Sequence, residues 1–454
     1  MSICHAESME ISGRILGNPA LAHDHFFRGG TKRQFLTPEI PIPGPRNDMW
    51  LLLQNPKFRL MWLVILLDEV AVISYFTVSG WLALTLTDSP FWVGATAGMG
   101  GLALASASLF AGVIVDRMDK RKLIIAGLIV QMGFSFTIAF LIFSEYIALW
   151  HVLVIAFLRG LAASVKITAT HTLILDLVGR SNLLAANAAT IAAFTIMGII
   201  MPPVVGFVVE RADIGWTYIV MGCAGFTAAS LMVTLRGVEP RKRKERTSPL
   251  QDLSAGLRYV VTTPIVRSLI ILGLIGEVFG WGHETMLPVM ARDVLEVGPT
   301  GLGYLYSAGS VGALIASLIL SIRSDITNMA RLMIAGYIGL GVFLILFAWS
   351  PWFLVSLVLL GMAHFMGAYS FTILETRLQT SVPDDMRGRV LSVQSFGFGL
   401  SNVTGFQTGA TAAWLGAPVA IAIGASIVAA NGLRLLRDVS ARFRDQQEID
   451  QAQE

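Results

Sequence analysis

The sequence predicts an all-α membrane protein: twelve transmembrane helices in two six-helix bundles. Three observations predict it. The chain of 454 residues is 54% hydrophobic and only 14% charged, whereas soluble domains run to roughly 25% charged. Its apolar runs are continuous rather than alternating and reach the ~20 residues that a helix needs to cross a hydrocarbon core. The charges inside these runs fall on every third one. Backbone groups in lipid find partners only within a helix or a closed barrel, and unbroken runs select helices.

Taken in order, residues 1–48 are polar and punctuated by Pro38, Pro41, Pro43, Gly44 and Pro45. They lack the apolar core of a secretory signal and read as a disordered cytoplasmic tail, with an alternative translation start at Met49 left open. His5, His23 and His25 within it read as incidental rather than as a metal site. Spans are expected at about 60–86, 91–114, 123–143, 148–175, 184–209 and 215–235, then at about 267–289, 301–322, 331–349, 352–376, 390–414 and 417–434. The N-terminal bundle is thus 49–235, and the C-terminal bundle 267–436, followed by a cytoplasmic tail at 437–454. Cys4 and Cys223 imply no disulfide framework.

Between the bundles lies the longest internal connection, 236–266. It opens on Arg241-Lys242-Arg243-Lys244-Glu245-Arg246, read as a solvated anchor rather than a lipid site. Leu253, Leu257 and Val260 then recur at helical spacing, predicting a short amphipathic helix on the inner membrane face. Basic residues cluster at alternate connections: Lys57 and Arg59; Arg117, Lys120, Arg121 and Lys122; Arg180; the 241–246 run; Arg323; Arg377, Arg387 and Arg389; Arg434 and Arg437. The other connections offer Arg211 and Arg292. The positive-inside rule therefore places both termini in the cytoplasm.

Gly112-Val-Ile-Val-Asp116-Arg117-Met-Asp-Lys120-Arg121-Lys122, between spans two and three, resembles the signature loop of the major facilitator superfamily. A small residue there would let span two approach a neighbour, and Asp116 would pair with basic groups or a helix end, biasing one conformational state. Ser317–Asp325 keeps a degraded version. Gly198-Ile-Ile-Met-Pro202-Pro203-Val-Val-Gly206 in span five is similar to the family's fifth-helix motif of proton-coupled exporters. Gly198, Pro203 and Gly206 match it, while Pro202 and Phe207 replace glycines. Asn55–Trp62, Asp252–Tyr259 and Val382–Val390 resemble the enterobactin-exporter-like branch, so the resemblance runs from about residue 49 onward. It implies two six-helix bundles that rock around a midplane site.

The internal charges sit on spans one (Asp68, Glu69), four (Arg159, Lys166), seven (Glu277, His283, Glu284) and ten (His364, Glu375). A charge at the centre of a membrane helix costs about 2.5–3.5 kcal/mol on insertion scales, so such groups usually face a wet interior. Asp68 or Glu69 is expected to pair with Arg159 near the midplane, the other meeting a neighbouring helix. Glu277 and Glu284 are expected to share a face, as are His364 and Glu375. Proton coupling needs a carboxylate that titrates near the working pH, and Asp68, Glu69, Arg159 and Glu277 are the candidates. Tyr75, Lys166, Glu284, His364 and Glu375 are candidates for the substrate cavity. The family's fourth-helix arginine stands several residues before a glycine, whereas Arg159 directly precedes Gly160. Among the aromatics, Tyr75, Phe76, Phe279, Trp281, Phe365, Tyr369 and Phe371 are positioned to stack on an aromatic substrate such as a catecholate, although packing is the expected role of most.

The expected function is secondary transport: a bacterial inner-membrane exporter of a siderophore or drug-like compound, driven by proton antiport. An importer or uniporter, or a lipid flippase or non-transporting receptor on the same fold, remains the alternative. Phosphate loops, zinc-ligand clusters and nucleophile constellations are not found in the sequence, so neither an enzyme nor an ATP-driven pump is expected. The expected partners are a small-molecule substrate, protons and the lipid bilayer, with no cofactor, metal or nucleic acid, and the chain is expected to act as a monomer.

Overall fold

The computed structural model describes residues 52–179, 182–235, 249–322, 329–383, 386, 389–390, 393–394, 401 and 403–452. The expected tail at 1–48, the basic run at 241–246 and Arg180, Arg323 and Arg387 lie outside the described residues. So do residues 391–392, 395–400 and 402 of the expected span at 390–414. What is described there is helical.

The first six helices are α1 (Pro56–Thr87), α2 (Pro90–Arg117), α3 (Lys120–Phe143), α4 (Leu149–Val178), α5 (Leu183–Arg211) and α6 (Ile214–Thr234). The linker forms α7 (Pro249–Thr262). Helix α8 (Pro264–Val294) is long and apolar enough to cross a membrane as one span but contains two π-helical turns, Gly276–Gly280 and Met290–Val294. Then come α9 (Gly298–Ile322), α10 (Met329–Ala348), α11 (Phe353–Ser381), α12 (Gly405–Leu415) and α13 (Ala417–Ala452). Ten described helices are long and apolar enough to cross a membrane, and α2, bent by 56°, makes an eleventh. The stretch expected as a C-terminal tail continues α13 to Ala452. Residues 437–452 hold Ala, Arg, Gln and Glu with neither Gly nor Pro, so nothing in their propensity stops the helix.

Local chemistry sets these boundaries. Asn55 accepts the backbone N–H of Lys57 at 3.0 Å ahead of Pro56, starting α1, as N-caps do. Asp119 caps α3 through Arg121 and Lys122, and Asp213 caps α6 through Gly215. Two prolines, Pro202 and Pro203, stand inside α5. Proline donates no hydrogen bond, so Pro203 frees the carbonyl four residues back. That carbonyl belongs to Ile199, and the Ser307 hydroxyl of α9 donates to it at 2.7 Å. The broken bond in one helix is thereby made good by the next, which is how membrane helices tolerate proline.

Buried apolar side chains form three clusters. Two come wholly from residues 52–235, and the third from residues 260–428 together with Leu84 and Val93. Between α1–α6 and α8–α13 several glycines permit close approach. A Cβ on Gly198 would stand 2.7 Å from the Ser310 hydroxyl, and one on Gly98 would overlap the Phe406 ring. Gly206 meets the Pro299 backbone, Gly303 meets that of Pro202, and Gly94 meets Gly405. These contacts run from mid-helix towards the end of the molecule where α1 finishes and α2 starts.

Candidate functional site

Two polar groups lie within the helical core. In the first, Asp68 and Tyr75 on α1 face Lys166 and Arg159 on α4. Both pairs are seven residues apart, about two turns, and the helices run antiparallel, so the spacings match. Lys166 donates to both Asp68 carboxylate oxygens, at 2.5 and 2.6 Å, and to the Gln131 side chain of α3 at 2.7 Å. Its stem passes Gly127, where a Cβ would stand 2.9 Å away. The Arg159 guanidinium lies 4.0 Å over the Tyr75 ring, an attractive cation–π geometry, and donates to the Ala71 carbonyl at 3.3 Å. Asp68 therefore pairs with Lys166 and not, as the sequence suggested, with Arg159. Depth counted from span ends put Arg159 opposite Asp68, whereas the true register sets it beside Ala71 and Tyr75. Glu69 points elsewhere and holds a buried oxygen with no hydrogen-bond partner among the described residues.

The second group centres on two histidines. His283 of α8 and His364 of α11 bring their Nε2 atoms to 3.0 Å. Nδ1 of His283 lies 2.7 Å from the Gly280 carbonyl. A carbonyl only accepts, so that nitrogen carries the proton, and at most one of the facing nitrogens carries another. Trp281 packs edge-on against His364, ring centroids 5.1 Å apart. On α9, Gly309 leaves the slot that the His364 ring fills, since a Cβ there would stand 2.7 Å from it. Glu284 lies 3.9 Å from His364, beyond hydrogen-bonding range, with 42% of its side-chain surface open. His283 is buried and also borders a pocket with Gln407, Thr408 and Thr411 of α12.

Glu277 is buried and sits in the first π turn of α8, a feature frequent at functional sites. It interacts electrostatically with Glu284 and Glu375. Glu375 lies eleven residues and about 16 Å beyond His364 along α11, three turns on and so on the same face, and it acts electrostatically on Glu277. The π turn also breaks the seven-residue count from Glu277 to Glu284.

The basic residues that open α3 tie it to α6 and α4. Arg121 donates to the Met232 carbonyl at 3.2 Å and to that of Val233, closing the end of α6. Lys120 pairs with Asp176 at the end of α4. Gly112 was expected at a close approach, but a Cβ there would meet nothing within 4 Å. Asp116 and Arg117 are exposed at the end of α2. Gln131 and His283 are not among the site residues that the sequence picks out. Gln131 is neutral and escapes a search for charge, while His283 shares its span with two glutamates and gains meaning only from His364.

Comparison with known proteins adds the following. The sequence model of the Major Facilitator Superfamily matches residues 61–406 and 281–447. The chain is 26% identical over 390 residues to the enterobactin exporter EntS of Escherichia coli O1:K1, covering 86% of this chain and 91% of that protein. The EntS of Escherichia coli O127:H6 is equally similar, with the same coverage. Among solved structures, the nucleoside transporter NupG superposes with a TM-score of 0.64 at 12% identity, over 84% of this chain and 98% of that one. A POT family transporter bound to 5-aminolevulinic acid gives 0.65 at 10% identity, over 84% and 95%. These structures share the fold.

Proposed function

The chain belongs to the Major Facilitator Superfamily, and from that premise we propose that it is a proton-coupled exporter of a small organic molecule, siderophore-like or drug-like. It is a multi-pass membrane protein. In this reading it resides in the bacterial inner membrane as a monomer with both termini in the cytoplasm, and its partners are substrate and protons. The glycine-packed end is then the periplasmic one, and alternating access requires those contacts to open.

The observation that carries the reading is the pair of neighbouring carboxylates on α1. Asp68 is committed to Lys166, while Glu69 keeps a buried oxygen without a partner among the described residues. A buried carboxylate of that kind is a place to take up and release a proton once per cycle. The similarity to enterobactin exporters supports export and a siderophore-like cargo.

Reconstitution in liposomes holding a pH-sensitive dye tests it. Enterobactin added under an imposed proton gradient should move protons against substrate, and Glu69→Gln should abolish that movement. Labelled enterobactin crossing with no proton movement would sink the coupling.

A further inference from the structure

Arg159 and Lys166 share a face of α4, yet their hydrogen-bonding capacity is used very differently. An ammonium has three N–H donors, and those of Lys166 meet three acceptors: two oxygens of Asp68 and one of Gln131. A guanidinium has five, and Arg159 makes one described hydrogen bond, to the Ala71 carbonyl. Asp68 acts on it electrostatically, but the Asp68 carboxylate hydrogen-bonds Lys166 and not Arg159. No described carboxylate forms an ion pair with Arg159, which is only 8% exposed. A cation so placed without a counter-ion is costly. The surroundings are also incomplete: the hydroxyls of Tyr75 and Tyr218, both within its electrostatic reach, are buried with no hydrogen-bond partner among the described residues.

We propose that Arg159, Tyr75 and Tyr218 form a binding site for an oxyanion, a carboxylate or phosphate group carried by an organic substrate. The guanidinium fork matches either group with paired hydrogen bonds, and the two phenol hydroxyls donate to the same oxygens. Tyr75 covers one face of the guanidinium and holds it in place. Across the interior, Glu277, Glu284 and Glu375 would repel a negative group, which orients the anionic end towards α4. The proposal rests on the transport reading for a substrate that reaches the interior, and it classes that substrate as an organic anion.

Binding by the purified full chain in detergent, with no proton gradient, tests this. The probes are benzoate, phenyl phosphate and neutral benzamide. Benzoate or phenyl phosphate should bind at least about tenfold more tightly than benzamide, the scale of charge-assisted hydrogen bonds. Whichever anion binds better identifies the group. Arg159→Gln should erase the preference. Tyr218→Phe, which keeps every charge, should weaken anion binding by about threefold or more at an unchanged melting temperature. If Arg159→Gln does not fold, Arg159→Lys and Tyr218→Phe carry the test. Equal binding of all three probes, no anion binding, a full anion preference kept in Arg159→Gln or Arg159→Lys, or undiminished anion binding in Tyr218→Phe would overturn the proposal. Anion binding without proton-linked export of enterobactin would sink only the exporter reading.

Discussion

Arg292 of α8 and Asp88 at the end of α1 are hydrogen-bonded at 2.7 Å, and the same guanidinium donates to the Leu84 carbonyl at 3.3 Å. Asp88 takes a left-handed conformation, φ 50°, where α1 stops. One side chain thus closes a helix end and ties it to a helix from the other half of the chain.

Arg292→Gln should loosen this tie. Exposed ion pairs are worth about 0.2–1 kcal/mol, so the melting temperature should change little. The balance between closed and open arrangements at this end should shift by up to about fivefold, which is what 1 kcal/mol allows. Pulsed electron resonance between labels at Thr85 and Glu296, with Cys4 and Cys223 replaced by serine, reads that balance. Identical distance distributions would show that the glycine contacts alone hold the end closed.

The Asp68–Lys166 pair should behave as a buried pair does. Lys166→Met alone strands a carboxylate and should cost about 3 kcal/mol, at the lower end of the usual range because the Asp68 side chain is 19% exposed. Asp68→Leu combined with Lys166→Met should recover most of that loss. Thermal unfolding of the single and double variants in detergent gives the coupling, and additive losses would show that the pair contributes no specific interaction.

The histidine contact offers a test that leaves every titratable group in place. Gly309→Ala puts a methyl group where the His364 ring lies and should cost about 1–3 kcal/mol by overpacking. It should also alter the pH profile of transport in the same sense as His364→Gln, because either change separates His364 from His283. A normal profile in Gly309→Ala beside an altered one in His364→Gln would mean that His364 works without its partner.

Ser307 makes a fourth prediction possible. Ser307→Ala removes the donor to the Ile199 carbonyl that Pro203 leaves open, and should cost about 1–3 kcal/mol, the penalty for an unsatisfied buried group. In Pro203→Ala, α5 regains its own hydrogen bond and the same serine substitution should cost far less. Thermal unfolding of the four proteins reads the difference. Equal costs in both backgrounds would show that the serine bond does not compensate for the proline.

Much of the fold was legible in the sequence because membrane helices announce themselves by length and hydropathy. Expected and observed ends agree closely from α1 to α6, and the linker helix at Pro249–Thr262 contains the predicted 252–261 segment. Which helices carry the interior charges was equally legible. Partnership was not: Asp68 chooses Lys166 over Arg159 through a relative sliding of α1 and α4 that no spacing within either helix encodes. Gln131 and Ser307 are neutral and become significant only when a facing helix presents an ammonium or a freed carbonyl. The slot at Gly309 likewise exists only once a ring from α11 fills it.

The two π turns of α8 have a consequence for how this helix tolerates change. Each holds one residue more than an α-helical turn would. Losing a residue from an ordinary helix swings everything beyond it by about 100°. Within Gly276–Gly280 or Met290–Val294, a single deletion instead removes the surplus and leaves the flanking segments aligned. Helix α8 is therefore punctuated by two places where its reading frame can shorten by one codon without turning Gly282–Val289 away from its neighbours.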